Sequence, residues 1–114
     1  MIRNRAARLR EVKKTLKLMV PHASLSDFEK IMKIADSQHL NHLPTPILAW
    51  RSLTTHIRHN HSDYDALLEE GYDIESAKHF VLDEMNAVLE SWGASKRIEL
   101  NSETANELSD ETDV

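Results

Sequence analysis

The stretch DIESAKHFVLDEMNAVLESWG, residues 73–93, decides the fold class of this chain. At 100° per residue, one face of the stretch is apolar along its whole length. That face is formed by Ile74, Ala77, Val81, Met85, Val88 and Trp92. Asp73 supplies a capping carboxylate before the first turn, and Gly93 supplies a residue that ends helices in the left-handed region. The stretch therefore predicts a long amphipathic helix with defined ends.

Two more helices are predicted in the N-terminal third. Helix 1 covers about residues 4–19, with an apolar stripe that includes Val12 and Leu16, and it stops before Pro21 because proline disfavours helical geometry in the preceding residue. Helix 2 follows Ser24, which has Asp27 three residues later, the spacing of a capping box. It extends to about residue 37.

The middle of the chain predicts a third helix and a short fourth one. Residues 38–44 form a loop, after which Thr45 caps helix 3 and proline occupies the first helical position. We expect helix 3 to end near residue 59, with Trp50, Leu53 and Ile57 pointing inward. Ser62 is predicted to cap helix 4, residues 63–70, which Gly71 ends.

These elements predict an all-α fold, a compact bundle of about five helices. No strand pattern appears, and two glycines in 114 residues exclude a glycine-rich phosphate loop. We divide the chain into a basic amphipathic helix at 1–20, a helical core domain at 21–93 and an acidic, disordered tail at 94–114.

Composition narrows the classes of function. The chain has no cysteine and no apolar run near the roughly 18 residues of a membrane span, so we expect a cytoplasmic protein that does not contact membranes. The net charge of −5 is segregated along the chain. Residues 1–20 contain seven Lys/Arg and one Glu, whereas the rest of the chain is acidic. Such a basic front predicts contact with nucleic acid or an acidic protein.

The segment from residue 56 to residue 65 concentrates groups that bind metals, protons or phosphate. His56 and His59 are neighbours on a helix surface and could form half of a metal site, completed by His61 or Asp63. Arg58 is either an anion clamp or an ion-pair partner of a nearby acid. Tyr64 is expected to pack between helices with its hydroxyl outward. Asp65 is expected to return a hydrogen bond to the backbone at Ser62.

The span from about Leu16 to Trp92, which includes this segment, resembles a family catalogued as domain of unknown function 2293. The matching residues are His56, Arg58-His59, Ser62, Tyr64-Asp65, Leu67-Leu68, Gly71, Ala77-Lys78 and Trp92. Two departures from the family pattern are serine for threonine at residue 62 and lysine for arginine at residue 78. The resemblance implies the fold and the importance of the segment, and it implies no reaction.

Taken together, the sequence favours a binding module without a cofactor over an enzyme. Helix 1 and the segment 56–65 are predicted to engage nucleic acid or an acidic partner. The binding residues of this prediction are Arg10, Lys13, Lys14, Lys17, His56, Arg58, His59, Tyr64 and Asp65. One alternative is a metal-dependent hydrolase or nuclease that uses His56, His59 and nearby carboxylates. A second is a protein–protein adaptor or homodimer.

Overall fold

The computed structural model describes residues 5–37 and 42–99, and it places five α-helices there. They are α1 (Arg5–Met19), α2 (Leu25–Ala35), α3 (Thr45–Asn60), α4 (Tyr64–Glu69) and α5 (Ile74–Ser91). These two ranges contain no strand, so the predicted all-α class is confirmed. None of the five helices is long and apolar enough to cross a bilayer.

Helix α3 lies at the centre of the bundle and contacts each of the other four helices. It is buried on nearly every side rather than on one face. Five of its buried residues are polar or charged: Arg51, Ser52, Thr54, His56 and Arg58. Because buried polar groups are costly without partners, α3 must be held by polar contacts as well as by apolar packing.

The apolar core surrounds α3. Leu48, Leu53 and Ile57 of α3 are fully buried against residues of α1, α2 and α5. The contributing residues of those helices are Val12, Leu16, Phe28, Ile31, Ala35, Ala77, Val81, Met85 and Leu89. On the predicted apolar face of α5, one residue was wrong: Ile74 is 42% exposed, since it is the first residue of α5 and the core begins one turn later.

Four helix ends follow the sequence prediction. Ser24 caps α2 and Asp73 caps α5, each accepting a hydrogen bond from the backbone N–H three residues later. Gly71 and Gly93 have φ values of +105° and +87° and end α4 and α5. A Cβ on Gly93 would lie 3.0–3.2 Å from atoms of His22 and Pro21, because the end of α5 abuts the turn between α1 and α2.

Two predicted helix caps were wrong. Pro44, not Thr45, precedes α3 as its N-cap, and the Thr45 hydroxyl instead donates to Glu11 of α1 at 3.4 Å. Asp63 precedes α4, while Ser62 bridges the two helices by donating to the Arg58 carbonyl at 2.6 Å and accepting from the Tyr64 N–H at 3.2 Å. At Thr45 a tertiary contact replaces the predicted local one.

The segment 94–99 lies against the core, so the predicted disordered tail begins too early. Ile98 is 5% exposed, and the Asn86 side chain exchanges two hydrogen bonds with its backbone, at 2.8 and 3.1 Å. The Lys96 ammonium lies 4.2 Å from the centroid of the Trp50 ring, within cation–π range. The remainder of the predicted tail, residues 100–114, is outside the described residues.

Candidate functional site

Three potential ligand side chains meet where α2 faces the end of α3. The Oδ1 atom of Asp27 lies 2.7 Å from His56 Nε2 and 2.8 Å from His61 Nε2. One ligand atom from each residue lies within 4.8 Å of the other two. We call Asp27, His56 and His61 the His–Asp cluster. Among residues 5–37 and 42–99, these three side chains form the group whose ligand atoms lie close enough together to share a metal ion.

The cluster is positioned by helix ends. Asp27 lies in the first turn of α2, His56 in the last turn but one of α3, and His61 is the C-cap residue of α3. The Ser24 hydroxyl donates to Asp27 Oδ2 at 2.8 Å and also accepts from the Asp27 N–H at 3.1 Å. The same serine that caps α2 therefore orients the carboxylate so that Oδ1 faces the imidazoles.

Trp92 and Asn60 complete the surroundings. The Trp92 ring stacks on His56 with centroids 6.3 Å apart and meets the edge of His61 at 5.2 Å. The Asn60 amide nitrogen lies 3.1 Å from His56 Nδ1 and donates to the His56 backbone carbonyl at the same distance. In this arrangement Nδ1 accepts from the amide, so the proton of the neutral imidazole is on Nε2 and is donated to Asp27.

Burial and hydrogen bonding set the charges of the cluster. Partial burial acts to raise the pKa of the Asp27 carboxyl, but hydrogen bonds from both imidazoles and from the Ser24 hydroxyl outweigh it and lower the pKa to about 2. Burial lowers the pKa of His56, although the neighbouring carboxylate opposes this effect. At neutral pH the cluster is therefore a carboxylate beside a neutral, buried imidazole. Such a group can hold a cation or a proton.

The three members of the cluster differ in their exposure to solvent. The side chain of His56 is 1% exposed, that of Asp27 is 17% exposed and that of His61 is 35% exposed. The two outer residues can therefore meet a small ligand, whereas His56 forms the floor of the site.

The structure separates His59 from this cluster. His59 Nδ1 lies 2.8 Å from Asp65 Oδ1, and its ring meets the edge of the Tyr64 ring at 5.5 Å. Asp65 thus contacts His59 instead of the backbone at Ser62, which corrects that prediction. Asp63 lies apart from the cluster, its N–H donating to Glu84 of α5 at 3.1 Å. Of the four predicted metal ligands, the structure brings together His56 and His61.

Arg58 and Tyr64 are interior residues, so the prediction that the Tyr64 hydroxyl faces outward is wrong. Arg58 is 6% exposed and Tyr64 is fully buried, and the guanidinium carbon lies 5.6 Å from the centroid of the Tyr64 ring. This contact joins α3 to α4. Because neither side chain reaches the surface, neither can touch a macromolecule directly without unfolding this end of the bundle.

The basic residues predicted on helix 1 are at the surface. Arg10, Lys13, Lys14 and Lys17 are all exposed, while Val12 and Leu16 of the same helix are fully buried. Two other cations of α1 make tertiary contacts: Arg5 pairs with Asp36 of α2, and Arg8 donates to the Leu43 carbonyl. Arginines 5 and 8 therefore help to hold α1 in place, and the remaining four cations face outward.

Sequence reasoning missed Asp27 as a member of the cluster. Its position three residues after Ser24 is fully explained by helix capping, so nothing local indicates a second contact with α3. The pairing of His61 with His56 was part of the predicted metal site, because both residues lie in the segment singled out. The third member becomes visible only when α2 packs against α3.

The family comparison agrees with the resemblance seen in the sequence. A family model described as an uncharacterized conserved protein, DUF2293, matches residues 15–93. No curated protein and no solved structure gave a significant match. The matched range covers more than half of the chain and extends from α1 to the end of α5, so the chain belongs to the DUF2293 family.

Proposed function

We propose that this DUF2293 protein is a non-catalytic module that binds the phosphate backbone of nucleic acid through the exposed basic face of α1. The observation that supports the proposal most directly is the orientation of this helix. Its apolar side is used in the core, and Arg10, Lys13, Lys14 and Lys17 face solvent together.

The four cations form a compact stripe. At 100° and about 1.5 Å per residue, they fall within about 100° of arc and about 10 Å of helix length. That length corresponds to about three base-pair steps of a duplex, at about 3.4 Å each. Cations at this spacing can neutralise several phosphates at once without bending the helix.

The composition of the stripe favours phosphate over an acidic protein surface. Protein interfaces usually depend on aromatic anchors that fill pockets on the partner, and α1 has no aromatic residue. Phosphate binding requires only positive charge and reach, which lysine and arginine side chains supply. His56, Arg58 and Tyr64, which the sequence also predicted to bind, enter this proposal only as supports of the bundle, because they are buried.

The test is the salt dependence of binding to a labelled duplex, measured by fluorescence anisotropy. Each neutralised phosphate contributes about −0.9 to the slope of log K against log salt. We expect Lys13→Gln with Lys17→Gln to make the slope less steep by about 1.8. The matched control is Lys30→Gln with Lys33→Gln, which removes the same charge from exposed positions of α2 and should leave the slope nearly unchanged.

Three outcomes would reject the proposal. One is no measurable affinity for a duplex or a single strand at low salt. Another is an equal loss of slope in both double variants, which would show that only net charge matters. The third is binding to polyglutamate as tight as to the duplex, which would assign the basic face to an acidic protein partner.

A further inference from the structure

We infer that the His–Asp cluster is a binding site for a divalent transition-metal ion of the zinc class, with His56 Nε2, His61 Nε2 and Asp27 Oδ1 as its protein ligands. This site is separate from the basic face of α1, and its test does not depend on nucleic-acid binding.

The donor set points to this class of ion. Two imidazoles and one carboxylate are ligands of zinc and of other first-row ions, and three protein ligands with a fourth position open are common where zinc is accessible. Magnesium and calcium prefer all-oxygen sites, which these residues do not provide. A thiolate or thioether set for monovalent copper is not present in the cluster either.

The distances require only a small adjustment. In a tetrahedral zinc site with bonds of about 2.0–2.1 Å, neighbouring ligand atoms are about 3.3 Å apart. The carboxylate oxygen is now 2.7 and 2.8 Å from the two nitrogens, so each separation must grow by about half an ångström. Asp27 and His61 are the partly exposed members and can supply this movement, while the buried His56 stays in place.

Neighbouring groups hold the ligands as metal sites require. Residues that hydrogen-bond to ligands orient them and influence metal affinity. Ser24 fixes Asp27 through Oδ2 and leaves Oδ1 for the ion. Asn60 lies beside the other nitrogen of His56. For Nε2 to offer its lone pair to an ion, the proton must move to Nδ1, and the exposed Asn60 amide must turn so that its oxygen accepts a hydrogen bond from the Nδ1–H group.

A water molecule can reach the ion where Asp27 and His61 are exposed. Asp27 and His61 are the residues at the solvent boundary, and Trp92 covers the imidazoles on another side. The ion therefore keeps a coordination position for water or for an external ligand.

The proposal is tested with full-length protein freed of metal by chelation. Zn²⁺ affinity is measured by competition with a chromophoric chelator, and Co²⁺ is used as a probe because its visible absorption reports coordination geometry. We expect one ion per chain and intense Co²⁺ bands of a four- or five-coordinate site. His61→Gln and Asp27→Asn should each weaken Zn²⁺ binding at least tenfold.

Two controls make the result decisive. His59 lies at the same helix end but pairs with Asp65 outside the cluster. His59→Gln should therefore leave Zn²⁺ affinity unchanged. Lys13→Gln with Lys17→Gln should also leave it unchanged. Circular dichroism in chelator checks that each variant keeps its helices, and His61, being partly exposed, supplies an informative variant if the change at Asp27 prevents folding.

Absence of the Co²⁺ bands would overturn the inference. So would a Zn²⁺ affinity that His61→Gln and His59→Gln reduce equally, because that outcome would describe unspecific binding to surface histidines. A cluster that fails this test is a hydrogen-bonded clasp between α2 and α3.

Discussion

Asp27→Asn should destabilise the protein by about 2 kcal/mol at pH 7, and the loss should shrink in acid. The magnitude follows from the carboxyl group of Asp27, whose pKa is lowered from 3.8 to about 2 by its hydrogen bonds. At about 1.4 kcal/mol for each tenfold change, this lowering corresponds to about 2 kcal/mol. The side chain is 17% exposed, so solvent screening removes only a small part of that value.

The sign determines the pH profile. A carboxyl whose pKa is lower in the folded state stabilises the protein above its unfolded pKa of 3.8, and the contribution disappears as the pH falls through about 2. Near pH 3, about half of it should remain. Burial lowers the pKa of His56 and the Asp27 carboxylate opposes this effect. His56 therefore costs stability as the pH falls below about 6.5, and it costs more in the variant, which lacks the carboxylate. The decrease that tests Asp27 is the one between about pH 4 and pH 3.

The assay is urea unfolding followed by circular dichroism, in chelator, from pH 7 to pH 3. The quantity compared is the free energy of unfolding of wild type minus that of Asp27→Asn. Glu29→Gln, which changes an exposed carboxylate on the same helix, is the matched control and should change stability by less than about 0.5 kcal/mol. The reasoning is refuted if the difference for Asp27 is equally small at pH 7, or if it does not decrease toward pH 3.

Two further predictions concern chain ends and turns. Gly93→Ala should lower the free energy of unfolding, measured by thermal unfolding, more than Gly71→Ala does, because both glycines have positive φ but only Gly93 is crowded by neighbouring atoms. We expect a loss of about 1 kcal/mol at Gly71 and at least twice that at Gly93. Equal losses would show that the neighbouring atoms do not oppose a side chain at Gly93. Truncation after Gly93 should lower the free energy of unfolding by about 2–4 kcal/mol, since it removes the buried Ile98. Truncation after Glu99 should leave the melting temperature unchanged. A loss of equal size from both truncations would show that residues beyond 99 stabilise the core.

The number and order of the helices could be predicted because their determinants are local. The apolar periodicity of α5 and the residues Asp73 and Gly93 specify where that helix begins and ends. The same holds for α2, whose cap Ser24 makes the expected hydrogen bond. These features depend on neighbours within about four residues, and a single sequence contains all of them.

The central position of α3 could not be derived from periodicity. Its sequence predicts one inward face through Trp50, Leu53 and Ile57, but Arg51 and Arg58 are also buried. One indication existed in the sequence: between residues 45 and 60 these two arginines are the only members of the Asp/Glu/Lys/Arg class. A helix exposed on one side usually carries a mixed charged face. The absence of such a charged face is typical of a helix that is enclosed by other helices.

Long-range polar contacts were the other feature of the structure that the sequence did not predict. The Asn86 side chain pairs with the backbone of Ile98 twelve residues away, and it anchors a segment whose composition predicts disorder. Asp27 similarly serves His56 twenty-nine residues away while also taking part in a helix cap. At Asp27 the local role is complete, because the residue already takes part in the helix cap, so the sequence near it contains no unmet requirement that would reveal the distant partner.

The structure also changes where function should be sought in the segment 56–65. Arg58 contacts Tyr64, His59 contacts Asp65, and Ser62 links their two helices. Their contacts join α3 to α4, and this structural role is enough to explain why these residues occur in the segment without a bound ligand. His61 differs, because it lies at the surface and directs Nε2 toward a carboxylate that His56 already contacts from the interior. Substitutions at His61 and on the basic face of α1 change exposed groups while sparing the core, and so they separate binding from folding more cleanly than any change within the buried part of the segment.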